Sequence, residues 1–397
     1  RMATGVMRRP VVVTVAVVAL LFVLGLPFFR VQFGVPDQRV LPAGTSSRVV
    51  SDRLAEEFDS NEALAFPVVA PSIGDVDAAE PEVDRYAAAL SALDHVSRVD
   101  AVTGRYVGGR RVLPPDDLLG RQRTEGAVFF NVVPDAEPVS AEGERLVHEA
   151  RDLEAPFDTL VGGRSAEFVD SKAAIFGLVP WAAAIIGVST FVLLFLMFGS
   201  VLVPLKAIVL NLLSLSATFG AMVWVFQDGN GAGLLDFTAT GLTDITTPLL
   251  MFCIAFGLSM DYEVFLLSRI KEEHDRTGDN DAAVAIGLER TGRIVTAAAV
   301  LLSVTFIAFS TSGITFIKLF GLGLALAVLM DATLVRATLV PAFMTLAGEA
   351  NWWAPPWMRA IHGRIGLSEA GPPPREPASP GDAVEVDLTV VEPPEAG

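Results

Sequence analysis

The sequence has 397 residues, 52% of them hydrophobic and only 19% charged, with a formal net charge of −17. So apolar a chain has too little polar surface for a soluble domain and points to a membrane. The negative charge and the lack of a basic stripe argue against a nucleic-acid partner. A single cysteine, Cys253, rules out an internal disulfide framework and a Cys-based metal site. The acid is concentrated in residues 51–170 and after Ser368. The chain starts with Arg1 rather than Met, so the numbering is expected to begin inside a longer reading frame.

In chain order, the first spanning candidate is Pro10–Phe29, preceded by Arg8 and Arg9. Its apolar core is too long for a signal peptide and no small-x-small cleavage site follows, so it reads as an anchor. Residues 30–173 alternate differently. Leu64–Ala70, Val96–Val102, Ala127–Val133 and Thr159–Val161 read as strands, and Pro81–Leu93 and Val139–Leu153 as helices. The loop with Gly108, Gly109, Pro114 and Pro115 is expected to separate the second and third strands. This β-α-β-β-α-β order predicts a ferredoxin-like α/β unit. It lacks G-x-S-x-G, since Gly163-Arg164-Ser165-Ala166-Glu167 has no final glycine, and it lacks H-E-x-x-H and Walker A patterns. His95 and His148 fall on predicted helices, as solvent-facing or packing residues. No cofactor, metal site or catalytic constellation is expected, so binding or conduction is favoured over catalysis.

Five further apolar runs follow: Ile175–Phe198, Val201–Phe226, Ile245–Ser268, Thr291–Ser310 and Phe316–Leu346. The expected fold class is therefore a mainly α, integral membrane protein with six transmembrane helices, one plus five, and one α/β domain. The five-helix bundle covers residues 174–346. The last run exceeds one crossing and is expected to end along the membrane surface or beyond it. Residues 269–293 carry Arg269, Lys271, Arg276, Arg290 and Arg293, whereas Gln227–Asp244 and Thr311–Thr315 carry no lysine or arginine. The positive-inside rule then puts both termini, including residues 1–9, in the cytoplasm and residues 30–173 outside. Within Lys271–Arg293, Ala282, Ala283, Ile286 and Gly287 suggest a short amphipathic interfacial helix. Asn351-Trp352-Trp353-Ala-Pro-Pro-Trp357 reads as an aromatic patch at headgroup level, and the chain from about Gly366 as a disordered tail within residues 347–397.

An ionisable group in a spanning helix costs about 2.5–3.5 kcal/mol on insertion, which makes it a functional candidate. The fourth span holds Gly257-Leu-Ser-Met-Asp261-Tyr262-Glu263. At about 100° per residue, Asp261 shares a face with Ile254, Gly257, Leu258, Phe265 and Ser268. Gly257 would let a neighbouring helix approach. Asp261 is suited to a proton relay, with Tyr262 as hydrogen-bond partner or carrier; the alternative is a structural carboxyl. Glu263, expected about 200° away and nearer the water, is either a relay or a structural acid. Asp331 either joins the relay or packs against a polar neighbour. Arg336 should lie about 140° from it on an α-helix, a poor partner that reaches headgroups instead. Lys206 and Lys318 should snorkel, Cys253 should be a small packing residue, and Gly321 with Gly323 gives a small-residue packing surface.

The segments GLSMDYEVFLLSR, GLGLALAVLMDATLVRATLVPAFM and NWWAPPW resemble the mycobacterial-type large membrane proteins of the resistance-nodulation-division superfamily. The resemblance covers nearly the whole chain and fits the C-terminal half of such proteins. It implies a porter-like outside domain, a bacterial cell-membrane location and proton-driven export of a lipid or other hydrophobic molecule. It also implies that Asp261 and Tyr262 are the relay pair, lined by Gly257, Leu258, Phe265 and Ser268. The partner Asp-Tyr pair of a first half is absent here, so a second half or another copy is the expected partner. A protein-export accessory of the same superfamily and an inactive scaffold are the competing readings.

Overall fold

The computed structural model describes residues 2–35, 37–57 and 61–366. The expected disordered tail lies outside the described residues. Among the described residues six helices are long and apolar enough to cross a membrane: Pro10–Arg30, Gly163–Phe198, Leu202–Gln227, Thr246–Thr277, Asn280–Thr311 and Thr315–Trp352. They are built from α2 (Pro10–Gly25), α6 (Gly163–Phe198), α7 (Leu202–Met222), α9 (Thr246–Thr277), α10 (Asn280–Ala308), and α11 (Thr315–Met330) with α12 (Val340–Ala347). A short α1 (Met2–Met7) precedes the first span. The first span packs on α7 and α12, and α9 packs between α7, α10 and α11. Leu21, Leu210, Met251, Leu266 and Leu324 are among the residues of this core.

Small residues set the close approaches. A Cβ on Gly220 would stand 2.1 Å from the Leu24 carbonyl, and one on Gly321 would stand 2.5 Å from the Phe306 carbonyl. The expected interfacial helix within Lys271–Arg293 does not form. Instead α9 and α10 run on past the spanning length and meet at Gly278, whose φ of 68° closes the turn. Asp279 then caps α10 through the Asp281 and Ala282 amides. Burying Ala283, Val284 and Gly287 against α9 stabilises a hairpin more than an exposed amphipathic turn would.

The α/β domain carries β2 (Phe66–Ala70), β3 (Val96–Ala101), β7 (Ala127–Pro134) and β8 (Leu160–Val161), with α4 (Glu80–Leu90) and α5 (Ala141–Asp152). The central order β3-β7-β2-β8, antiparallel throughout, is the expected ferredoxin-like arrangement. Alternate residues Phe66, Val68 and Ala70 of β2 are buried among Val83, Tyr86 and Leu90 of α4. The expected loop around Gly108 is instead a hairpin, β4 (Gly104–Val107) and β5 (Arg110–Leu113), that extends the sheet beyond β3. Gly108 and Gly109, at φ 53° and 82°, supply its turn. Arg123–Thr124 forms a short β6 against β7. Ser46–Glu57 forms α3, an element with no clear period in the sequence. His95 sits in a left-handed turn rather than on a helix, with φ 63°, and pairs with Asp135.

The β4–β5 hairpin is pinned by Tyr106, 1% exposed, whose hydroxyl donates to Asp84 and lies 2.6 Å from the Thr103 hydroxyl. Burial, reinforced by the Asp84 carboxylate, pushes the Tyr106 phenol from 10.0 up to about 12. Tyr106→Phe is expected to cost about 2 kcal/mol, because the bond is to a charged acceptor. Since the folded value lies above the unfolded one, that contribution is complete below pH 10 and vanishes as the pH rises towards 12. Melting of the two proteins in detergent from neutral pH upward checks this: the gap between them should close on the alkaline side.

Two connections join domain and bundle. The 36 residues of α6 span about 54 Å, well beyond the bilayer core of about 30 Å. Its first turns bury Ser165, Phe168 and Val169 in the domain. Arg151 donates to Asp170 at 2.7 and 2.8 Å, and Lys172 to Glu144 at 2.7 and 2.8 Å, locking α5 to α6. The second is the chain that leaves the first span, which is held to the bundle at its start by a parallel pair between β1 (Phe33–Gly34) and β9 (Thr243–Asp244), the strand that leads into α9. Buried Gln227 ties it: its side-chain carbonyl accepts from the Gln32 amide at 2.9 Å, and its amide donates to the Arg30 carbonyl at 3.0 Å.

Candidate functional site

The consecutive positions of Asp261, Tyr262 and Glu263 on α9 send their side chains to different surroundings. Asp261 is exposed on this chain, Tyr262 is half-buried, and Glu263 is only 2% exposed. The expected placement of Glu263 nearer the water is therefore reversed. Glu263 points into the bundle, where Lys206 of α7 is its oppositely charged neighbour. Lys206 is 4% exposed and does not snorkel. Lys318 does not either: it is 5% exposed and its Nζ donates to the carbonyls of Leu235 and Asp236 at 2.5 and 2.6 Å. It thereby caps the short helix α8 (Ala232–Leu235).

The largest departure from expectation concerns Asp331 and Arg336. They form a buried ion pair, with Arg336 only 3% exposed and out of reach of any headgroup. The cause is local helix geometry. Asp331–Leu339 is a π-helical turn between α11 and α12. Its i→i+5 hydrogen bonding stacks residues five apart, which an α-helix would separate. Ser259 of α9 completes the cluster. Its hydroxyl donates to Asp331 Oδ1 at 2.8 Å, and its carbonyl accepts from Arg336 Nη2 at 2.5 Å. The guanidinium also lies 5.2 Å from the Tyr262 ring centroid, close enough for a cation–π contact. Asn211, Ser214 and Leu258 line the small crevice that this cluster shares with Tyr262.

The Arg336–Asp331 ion pair and the nearby Lys206 and Glu263, which carry opposite charges but make no ion pair with each other, thus sit buried within the bundle. Pairing is what makes the buried Asp331 and Arg336 charges tolerable there. Lys206 Nζ, Glu263 Oε1 and Asn211 Nδ2 are buried with no hydrogen-bonding partner among the described residues. Buried polar atoms of this kind are ordinarily satisfied by water. Of the expected relay and lining residues, Tyr262, Leu258 and Asp331 are brought together. Asp261, Gly257 and Cys253 lie together on an exposed stripe of α9, so Cys253 is not a packing residue within this chain. A Cβ on Gly257 would meet nothing within 4 Å. Phe265 lies 6.0 Å from the Arg269 guanidinium, and Ser268 is partly buried one turn on. Lys206 and Arg336 are the site residues that sequence reasoning set aside. The available signal was two opposite charges five apart in an apolar run, a spacing that pairs only in a π-turn.

A model of the MMPL family matches residues 40–365. The chain belongs to the MMPL family. Among relatives of this MMPL chain, membrane protein SCO6666 of Streptomyces coelicolor is 39% identical over 96% of the chain and 50% of its own length. The trehalose monomycolate exporter MmpL3 of Mycobacterium tuberculosis is 33% identical over 93% of the chain and 38% of its own length. Membrane protein YdfJ of Bacillus subtilis is 32% identical over 90% of the chain and 47% of its own length. The MMPL chain spans half or less of the length of these curated relatives. The resemblance of the fourth- and sixth-span segments to this family is thereby borne out.

Proposed function

We propose that the chain is one half of a proton-driven exporter of a lipid or other hydrophobic molecule in a bacterial cell membrane. In this reading the α/β domain lies outside and both chain ends described here lie in the cytoplasm, as Arg269, Lys271 and Arg276 at the end of α9 and Arg290 and Arg293 in α10 favour. The observation that carries the proposal is the placement of Asp261. It is the one carboxylate of the Asp261–Glu263 trio left on an exposed stripe of a spanning helix, directly beside a buried, charge-balanced cluster. A second half, or a second copy, would cover that stripe and enclose Asp261 with Tyr262 in the bundle interior. Protons would then be exchanged at Asp261 and Tyr262. Asp331 with Arg336 and Glu263 with Lys206 would respond through the shared cluster, repositioning α9 and the sixth span. The exporters among the relatives support a lipid-like cargo, carried past the α/β domain.

Asp261→Asn keeps the size of the side chain and removes its proton. In membrane vesicles from cells making the full assembly, a fluorescent phospholipid should move between leaflets under an imposed pH gradient. The Asn variant is expected to slow that movement by at least about tenfold. Its melting should be little changed, because Asp261 has no hydrogen-bond or ion-pair partner to lose among the described residues. Normal gradient-dependent movement in the variant would discard the relay, and would favour a scaffold that only binds partners.

A further inference from the structure

At the end of the bundle away from the α/β domain, the sixth span does not simply stop. After α12, a 3-10 segment and Pro355-Pro356 redirect the chain into α13 (Pro356–Ile365), a ten-residue helix. Three observations define its surroundings. The first is that one side is fixed to the bundle. The His362 ring packs edge-on to Phe195 at the end of α6, with centroids 6.0 Å apart. It also lies over Gly199, where a Cβ would be 3.0 Å from the ring. Gly199 at φ 65° makes that approach possible. Just before α13, the Trp353 carbonyl accepts from the Val201 amide at 3.1 Å, and Asn351 accepts from Ser200 at 2.5 Å.

The second is that the adjoining side is apolar and unpartnered. Trp357, Ile361 and Ile365, one helical turn apart, are 65%, 41% and 61% exposed. Val188, Val192 and Leu193 of α6, the spanning helix that α13 packs against, are exposed as well. The third is charge. The helix has no acidic residue, while Arg359 and Arg364 are exposed on it.

We infer that α13 is a binding site for anionic phospholipid in the leaflet at that end of the bundle. Trp357, Ile361 and Ile365 enter the acyl boundary, and Arg359 and Arg364 take the phosphates. The exposed apolar face of α6 meets acyl chains, and α13 is clamped to the end of that same helix. A water-facing helix would not display a Trp and two Ile on one side, and a helix with two exposed arginines and no acid complements an anionic surface. An amphipathic helix held at the interface gains from apolar burial and from attraction to anionic headgroups together.

The test uses the full chain in nanodiscs. On a Cys253→Ser background, Ile365→Cys carries an environment-sensitive fluorophore, and the quencher is a nitroxide-chain phosphatidylglycerol diluted in phosphatidylcholine. Quenching should reach half-maximum at a phosphatidylglycerol fraction well below that needed with nitroxide phosphatidylcholine. Arg359→Gln with Arg364→Gln should raise that half-quenching fraction by about 30-fold, from two surface charges lost. Neither substitution touches the bundle core, and an unchanged elution volume confirms the fold. Equal quenching by the two lipids overturns the headgroup selection. No quenching by either overturns the site and leaves the stripe to a protein partner or a second copy.

Discussion

Arg336→Met is expected to destabilise the bundle by about 3–5 kcal/mol, a large share of what holds a membrane domain together. The guanidinium is enclosed by Asp331, the Ser259 carbonyl and the Tyr262 ring, with 3% of its surface exposed. Removing it leaves the Asp331 carboxylate with the Ser259 hydroxyl as its remaining hydrogen-bond donor. The penalty is that of a buried charge deprived of its counter-charge, and it exceeds the net value of the pair. Asp331→Leu combined with Arg336→Met should therefore recover much of the loss, since two apolar side chains leave no orphan. Melting in detergent of the two single variants and the double variant measures this. If the double variant is as unstable as the sum of the singles, the pair is not the coupled unit its geometry describes.

Gly220→Val should be the next most damaging single change. A Cβ at Gly220 falls 2.1 Å from the Leu24 carbonyl and 2.8 Å from Gly25 Cα, so the obstacle is backbone rather than a side chain that can turn aside. The first span would have to move off α7, which carries Lys206 towards Glu263. We expect a cost of about 3 kcal/mol, at the upper end of overpacking effects. Gly25→Ala, across the same contact, meets Ser216 at 3.3 Å and should cost much less. Cysteine cross-linking between the first and third spans reads the separation directly. Unchanged cross-linking in Gly220→Val would mean that the two helices are not held at this distance.

The spans were legible because about 20 consecutive apolar residues admit few other readings. The α/β domain was legible because its strands alternate and its helices show a 3.6-residue period. The β4–β5 hairpin escaped notice because all four residues of β5 are exposed, so there was no alternation to read. Only Gly108-Gly109 marked its turn. The polar cluster was harder for a different reason. An α-helical wheel puts Asp331 and Arg336 on different faces, and the π-turn that unites them depends on the packing of α9 against the sixth span. Likewise, no local feature of Asp261-Tyr262-Glu263 tells which acid faces Lys206. That is decided by which helices surround α9 and which side of it they leave open.

The long helix α6 has a mechanical consequence. One continuous rod is embedded in the sheet domain at its start and crosses the bundle at its end, with Pro180 as the single proline within it. A proline withholds its amide from the ladder, so bending there sacrifices less than bending elsewhere. The strand pair Phe33–Gly34 with Thr243–Asp244 is a second strut, fastened to the top of α9. A bend at Pro180 would therefore change the angle between the α/β domain and the bundle, while the strand pair keeps the start of α9 fixed to the end of the first span.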